Sequence, residues 1–160
     1  MPVDNILLQE GVITRLLGGL ATTVHIGLIS VVLSIPLGIL VGLFMTSNNK
    51  VVRAILRVYL EIVRVMPQLV LLFVVFFGTS EWFDVNFDGI GASIVVFTFW
   101  GAAELGDLVR GALESIPASQ YDSAFVLGLS RQQTFFKVIL PQAFKRLLPP
   151  ALKLITRLIK

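Results

Sequence analysis

The segment LLGGLATTVHIGLISVVLSIPLGILVGLFMTSNN, Leu16 to Asn49, contains no Asp, Glu, Lys or Arg. A bilayer span needs about 20 mostly apolar residues, so this stretch predicts a first transmembrane helix over roughly residues 17–45. Pro36 falls inside it and predicts a kink, tolerable where neighbouring helices or polar groups satisfy the freed backbone. Gly27, Ser30, Ser34 and Gly38 recur near helical spacing, the pattern of a face on which helices approach closely. His25, alone in this stretch, reads as a packing or hydrogen-bonding histidine rather than a ligand.

The rest of the chain agrees with a membrane reading. Of 160 residues, 56% are hydrophobic and 14% charged, whereas soluble domains carry about 45–50% apolar and about 25% charged residues. The absence of cysteine excludes a disulfide framework and thiolate metal sites. A second span is predicted over about residues 58–78 and a third over about 90–108, with another apolar helix starting at Pro149-Pro150. The expected fold is therefore all-α: a polytopic membrane helical bundle of three full transmembrane helices plus the start of a fourth. Glu61 and Arg64 lie one turn apart near the start of the second span and predict an i, i+3 ion pair. Glu104 and Asp107 repeat that spacing in the third. An acid at the bilayer centre costs about 2.5–3.5 kcal/mol on insertion scales, so such groups should face a bundle interior or an interface. Trp82 and Trp100 suit interface anchoring and packing.

Orientation follows from the basic residues. Lys50, Arg53, Arg57 and Arg64 lie between spans one and two. Glu81, Asp84 and Asp88, with no Lys or Arg, separate spans two and three, and eight basic residues follow the third. The positive-inside bias predicts an external N-terminus and a cytoplasmic segment from Gly111 to Pro149.

That cytoplasmic segment carries its own punctuation. Ser119-Gln-Tyr-Asp122 has capping-box form, and Tyr121, Ala124 and Phe125 follow on one apolar face. Gly128 suits the left-handed position that ends a helix, with Leu129 free to fold back. Ser130-Arg-Gln-Gln133 is a second capping signal, after which Phe135, Phe136, Val138 and Ile139 supply an apolar face that Pro141 should stop. Two short helices bent about Gly128 are predicted to lie across the membrane face. By physics alone they serve equally as an amphipathic hairpin on the bundle or as a docking knob for a partner. There is no Gly-rich phosphate loop, nucleophile–base arrangement, metal-ligand cluster or nucleic-acid motif.

The spacing Asp122-Ser123-Ala124, Gly128, Val138, Leu140-Pro141 resembles the signature of ABC-importer permeases: Glu-Ala-Ala, three residues, Gly, nine residues, Ile, one residue, Leu-Pro. Asp for Glu keeps the charge, Ser for Ala keeps the size, and Val replaces Ile. Asp107-Leu-Val-Arg-Gly-Ala-Leu-Glu-Ser-Ile-Pro117 and Glu61-Ile-Val-Arg64 with Pro67 are similar to motifs of the polar amino-acid branch, although Val65-Met66 replace its Gly-Thr.

The resemblance implies a non-enzymatic permease subunit of a binding-protein-dependent importer in the cell (inner) membrane. Its partners would be a cytoplasmic ATPase gripping the loop, a second permease subunit (self or homologue), an extracytoplasmic amino-acid-binding protein and membrane lipid, with no nucleic acid. ATP and Mg would be bound by the ATPase, leaving no cofactor in this chain. Glu61, Arg64, Glu104, Asp107 and Arg110 become candidate pathway or subunit-interface residues. Family members have five spans, so residues 1–160 are expected to be one C-terminally incomplete permease domain, with a coupling loop over about 111–148 and a partial span over 149–160. Lys153, Arg157 and Lys160 would form a basic face on that partial span, suited to anionic headgroups. Two alternatives accompany this reading: a non-transporting remnant or scaffold that keeps the loop, and an importer of methionine, peptide or metal.

Overall fold

The computed structural model describes residues 11–159. The first helix, α1 (Val12–Met45), runs unbroken through Pro36 for 34 residues, about 51 Å at 1.5 Å per residue. It ends as expected at Met45, where the Thr46 hydroxyl donates to the Leu43 carbonyl at 2.8 Å. Asn49 restarts the chain by accepting the Val51 and Val52 amides, and α2 (Lys50–Val65) follows.

The second span departs from expectation. The stretch around residues 58–78 is not one helix but two, α2 and α3 (Gln68–Phe83), meeting at a bend of 106°. Pro67 is the cause. It has no amide to continue the ladder, and it pushes Met66 into extended backbone at φ −76°, ψ 130°. Among the described residues, two helices are long and apolar enough to cross a membrane, α1 and α4 (Gly89–Glu114), or three if the bent pair is one span. No strand occurs among the described residues.

α4 is the centre of the molecule. It packs along α1 through small residues: Ser30, Ser34 and Gly38, expected of that face, together with Gly42 one turn on, are buried against α4, while Gly27 is buried against the Leu158–Ile159 end of the last helix. The helices are too close for larger side chains. A Cβ on Gly38 would lie 2.7 Å from Leu105 Cβ, one on Gly106 would lie 2.6 Å from Val41 Cγ1, and one on Gly42 would lie 2.7 Å from the Gly106 carbonyl. Polar groups reinforce the contact: Ser34 Oγ donates to the Thr98 carbonyl at 3.1 Å, inside the buried seam. In lipid, where apolar side chains gain little by leaving solvent, such tight packing and interhelical hydrogen bonds hold helices together. His25 sits outside this seam, exposed on α1.

α2 is tied to the middle of α4 by buried Leu60 and Val63 and by the Tyr59 hydroxyl, which donates to the Phe99 carbonyl. After α4 the chain turns at Ile116-Pro117 into α5 (Ala118–Val126). Beyond Gly128 it continues as α6 (Arg131–Thr134), a π-helical turn (Phe135–Ile139) and α7 (Leu140–Ile159). These three are consecutive, so Pro141 does not stop the helix and Pro149-Pro150 do not begin one. The wide π turn directly before Pro141 changes the hydrogen-bond register where the proline ring would otherwise strike a carbonyl. α7 then lies across α4 and α1, with Leu154 buried and Leu158 against the core.

Candidate functional site

Two polar constructions stand out, the α5 loop and an ion-pair chain on α4.

In the loop, Pro117 occupies the N-cap position of α5 without a side-chain hydrogen bond. Ser119 is therefore already inside the first turn, and the capping box expected from Ser119 to Asp122 does not form. The helix starts earlier because Pro117, extended at ψ 143°, supplies the carbonyl that accepts from the Gln120 amide. Asp122 and Ser123 are exposed, while Ala124 is buried and anchors the helix. The C-terminus matches the expectation closely. Gly128 has φ +77°, its amide donates to the Phe125 carbonyl, and the Leu129 amide donates to the Ala124 carbonyl at 3.1 Å. This pair of bonds is the Schellman arrangement, open to glycine because it lacks the Cβ that crowds a left-handed residue. The second capping signal is also realised: Ser130 Oγ accepts the Gln133 amide and Gln133 Oε1 accepts the Ser130 amide at 2.9 Å.

The bend leaves an apolar tip in the open. Phe125, Val126 and Leu127 are 75%, 86% and 78% exposed. The base of the loop is braced by contacts that spacing did not foretell. Gln142 Nε2 on α7 donates to Gln120 Oε1 at 2.9 Å and to the Val138 carbonyl at 3.0 Å. Arg146 Nη1 reaches both the Ser115 carbonyl and its hydroxyl. Val138 is half-buried beside the core, whereas Leu140 and Pro141 are exposed on the helix that leaves the π turn.

On α4, the expected Glu61–Arg64 pair is absent. Arg64 turns toward α4, donating from Nε to Glu104 at 3.1 Å and from Nη2 to Asp107 at 2.6 Å. Glu61 is exposed in an open depression of α2 beside Lys50, Arg53 and Arg57. The two α4 acids are only 19% and 20% exposed, so an arginine that bonds both at once outcompetes a solvated neighbour on its own helix. Asp107 also accepts from Arg110 at 2.6 Å, and Arg110 donates to Glu114 at 2.6 Å. Arg157 of α7 completes the chain, 4.4 Å above the Trp100 ring centroid and 4.0 Å from Glu104. Its side chain is still 60% exposed, so Arg157 touches Trp100 and Glu104 on one side only; of the basic face expected of Lys153, Arg157 and Lys160, Lys153 is exposed as well and Lys160 lies outside the described residues.

The structure thus joins Arg64, Glu104, Asp107 and Arg110, leaves Glu61 apart, and adds Glu114, Trp100 and Arg157. The Arg110–Glu114 spacing was legible in sequence. Arg157 was not, because its partners lie on another helix. Three cations face three carboxylates: Arg64 ties α2 to α4 through two close pairs, and Arg157 of α7 approaches Glu104 at 4.0 Å. Among the described residues no group of three His, Cys, Asp or Glu side chains could hold a metal ion.

Residues 34–160 match the family model described as binding-protein-dependent transport system inner membrane component. The chain belongs to that family. It is similar to the L-cystine transport system permease protein TcyB of Bacillus subtilis, with 29% identity covering 96% of this chain and 65% of the relative. It is also similar to the probable glutamine ABC transporter permease protein GlnP of the same organism, with 30% identity covering 89% of this chain and 65% of the relative. The chain thus spans just under two thirds of these proteins. A crystal structure of an amino acid ABC transporter with histidines shares its fold, with a TM-score of 0.79 at 24% identity over 89% of this chain and 66% of that one.

Proposed function

We propose that this chain serves as the permease subunit of an ABC importer for polar amino acids. In this reading it sits in the inner membrane with its N-terminus outside. α5 rests in a groove of a cytoplasmic ATPase, which binds ATP and Mg. The permease makes and breaks no covalent bond; closure of the ATPase moves α5, and α5 moves the spans. An extracytoplasmic binding protein delivers the substrate, and a second permease subunit completes the path.

The observation that carries the proposal is the α5 tip. Three consecutive apolar side chains project from a nine-residue helix held at a fixed angle by Gly128. An exposed apolar cluster on a rigid short helix is the form of a knob that enters a groove on another protein. Asp122 and Ser123 edge that knob, Ala124 seats it, and Val138 in the π turn with Leu140 and Pro141 at the start of α7 carry its motion onward. Arg64, Glu104, Asp107 and Arg110 then make the receiving elements move as one body beside the pathway or the subunit seam. Amino-acid cargo is supported by the relatives, whose names specify cystine and glutamine.

The test is reconstitution in liposomes with a cognate ATPase and binding protein, followed by uptake of a labelled amino-acid panel including cystine and glutamine. ATP-dependent uptake of at least one polar amino acid is expected. Uptake confined to peptides, metals or methionine would replace the cargo, and no uptake under conditions where the ATPase binds would sink the transport reading.

A further inference from the structure

α2 carries a surface that the coupling reading does not use. Its sixteen residues divide into three faces. Leu56, Tyr59, Leu60 and Val63 pack on the bundle. Val51, Ile55, Val58, Ile62 and Val65 form a second apolar stripe that nothing among the described residues covers, at 65%, 63%, 57%, 51% and 77% exposure. Lys50, Arg53 and Arg57 line the third, exposed and outside every ion pair among the described residues. Glu61 is the one acid beside them, in a shallow open depression lined wholly by α2.

A free apolar stripe edged by unpaired cations is the pattern of a helix lying in the plane of a membrane interface, its oily side among acyl chains and its basic side at phosphate level. The bend at Pro67 makes this geometry available, because it frees α2 from following α3. With Lys50, Arg53, Arg57, Glu61 and Arg64 in one short helix, α2 is also too charged to cross hydrocarbon alone.

We propose that the N-terminal half of α2 lies at the membrane interface, its C-terminal half being packed on α4, and that Lys50, Arg53 and Arg57 form a binding surface for the headgroups of anionic phospholipids. Charge complementarity selects the occupant: three unpaired cations against the single acid Glu61 leave a net positive face toward an anionic leaflet, and a second copy would bring the same cations against each other. The inference rests on the faces of α2 and holds whether or not α5 grips an ATPase.

The chain has no cysteine, so single spin labels can be placed without background. In vesicles of phosphatidylcholine and phosphatidylglycerol at about 3:1, a label at Ile55→Cys should collide with oxygen and one at Arg53→Cys with a water-soluble nickel reagent, as interfacial amphipathic helices do. Strong dipolar broadening between Ile55→Cys labels would overturn the proposal in favour of a second copy. Native mass spectrometry should then show retained phosphatidylglycerol on the intact protein. The variant Lys50→Gln/Arg53→Gln/Arg57→Gln should lower that retention on the order of tenfold or more, and phosphatidylcholine little, since each surface cation contributes to anionic lipid attraction. Lys145→Gln/Lys153→Gln, which changes two exposed basic residues elsewhere, should retain the lipid and controls for folding and general charge. Equal loss in both variants would overturn the assignment to α2. Displacement by inorganic phosphate at millimolar concentration would overturn the lipid as the ligand.

Discussion

At Gly128 and Gly42 the same residue type acts for opposite reasons. A Cβ on Gly128 would meet nothing within 4 Å, yet its φ is +77°. Its requirement is therefore conformational, and a left-handed L-residue costs about 1–2 kcal/mol, more when β-branched. Gly128→Val should separate ATP hydrolysis from uptake in the reconstituted complex, while Gly128→Asn, which tolerates that conformation, should keep most coupling. Equal coupling in both variants would show that the bend transmits nothing. Gly42 has ordinary helical backbone, and its requirement is space, since a Cβ would press on the Gly106 carbonyl. Gly42→Ala should destabilise the protein by about 1–3 kcal/mol in detergent melts, whereas Gly18→Ala, with open space around it, should be neutral or slightly stabilising. The Gly128 requirement was legible in the sequence because a helix end is a local event. The Gly42 requirement was less legible: it lies one turn beyond the small-residue periodicity of Gly27, Ser30, Ser34 and Gly38, which carried no partner.

Among the elements, α2 and α7 differ most from their sequence reading. Both carry prolines and arginines whose roles depend on a neighbour. Pro67 divides what hydropathy joins, while Pro141, Pro149 and Pro150 fail to divide what proline content would separate. The difference lies in surroundings: α7 has a π turn and a packed groove to hold its course, and α2 has charges that draw it away from α3 toward Glu104 and Asp107. Removing Arg64 should therefore hurt more than removing its neighbour. Arg64→Leu leaves two largely covered carboxylates short of a cation, and Glu61→Leu leaves none. The expected result is a clear loss of melting temperature for Arg64→Leu, with little change for Glu61→Leu. A double variant Arg64→Leu/Glu104→Leu should recover part of the loss, and a strictly additive double variant would show that the pair is not coupled.

At the scale of the whole molecule, the basic residues and the two long apolar helices set the orientation proposed above. The cysteine-free background allows a direct reading. Val126→Cys, at the exposed α5 tip, should react with a membrane-impermeant maleimide only when the cytoplasmic side is open. Trp82→Cys, 74% exposed near the end of α3, should react only from the opposite side. Reversed labelling would invert the topology and remove the cytoplasmic ATPase from reach of the loop.

The amino-acid order alone determined that the chain is helical and membrane-embedded, where the glycine-ended loop helix stops, and which stripe of α1 is small. Each of these depends on hydropathy over a window or on backbone preferences within a few residues. Tertiary structure alone decided that Arg64 reaches α4 instead of Glu61, that Arg157 lies over the Trp100 ring, and that α7 passes three prolines. These outcomes depend on groups distant in sequence competing for the same cation, ring or carbonyl, and such a competition is settled only when the helices meet.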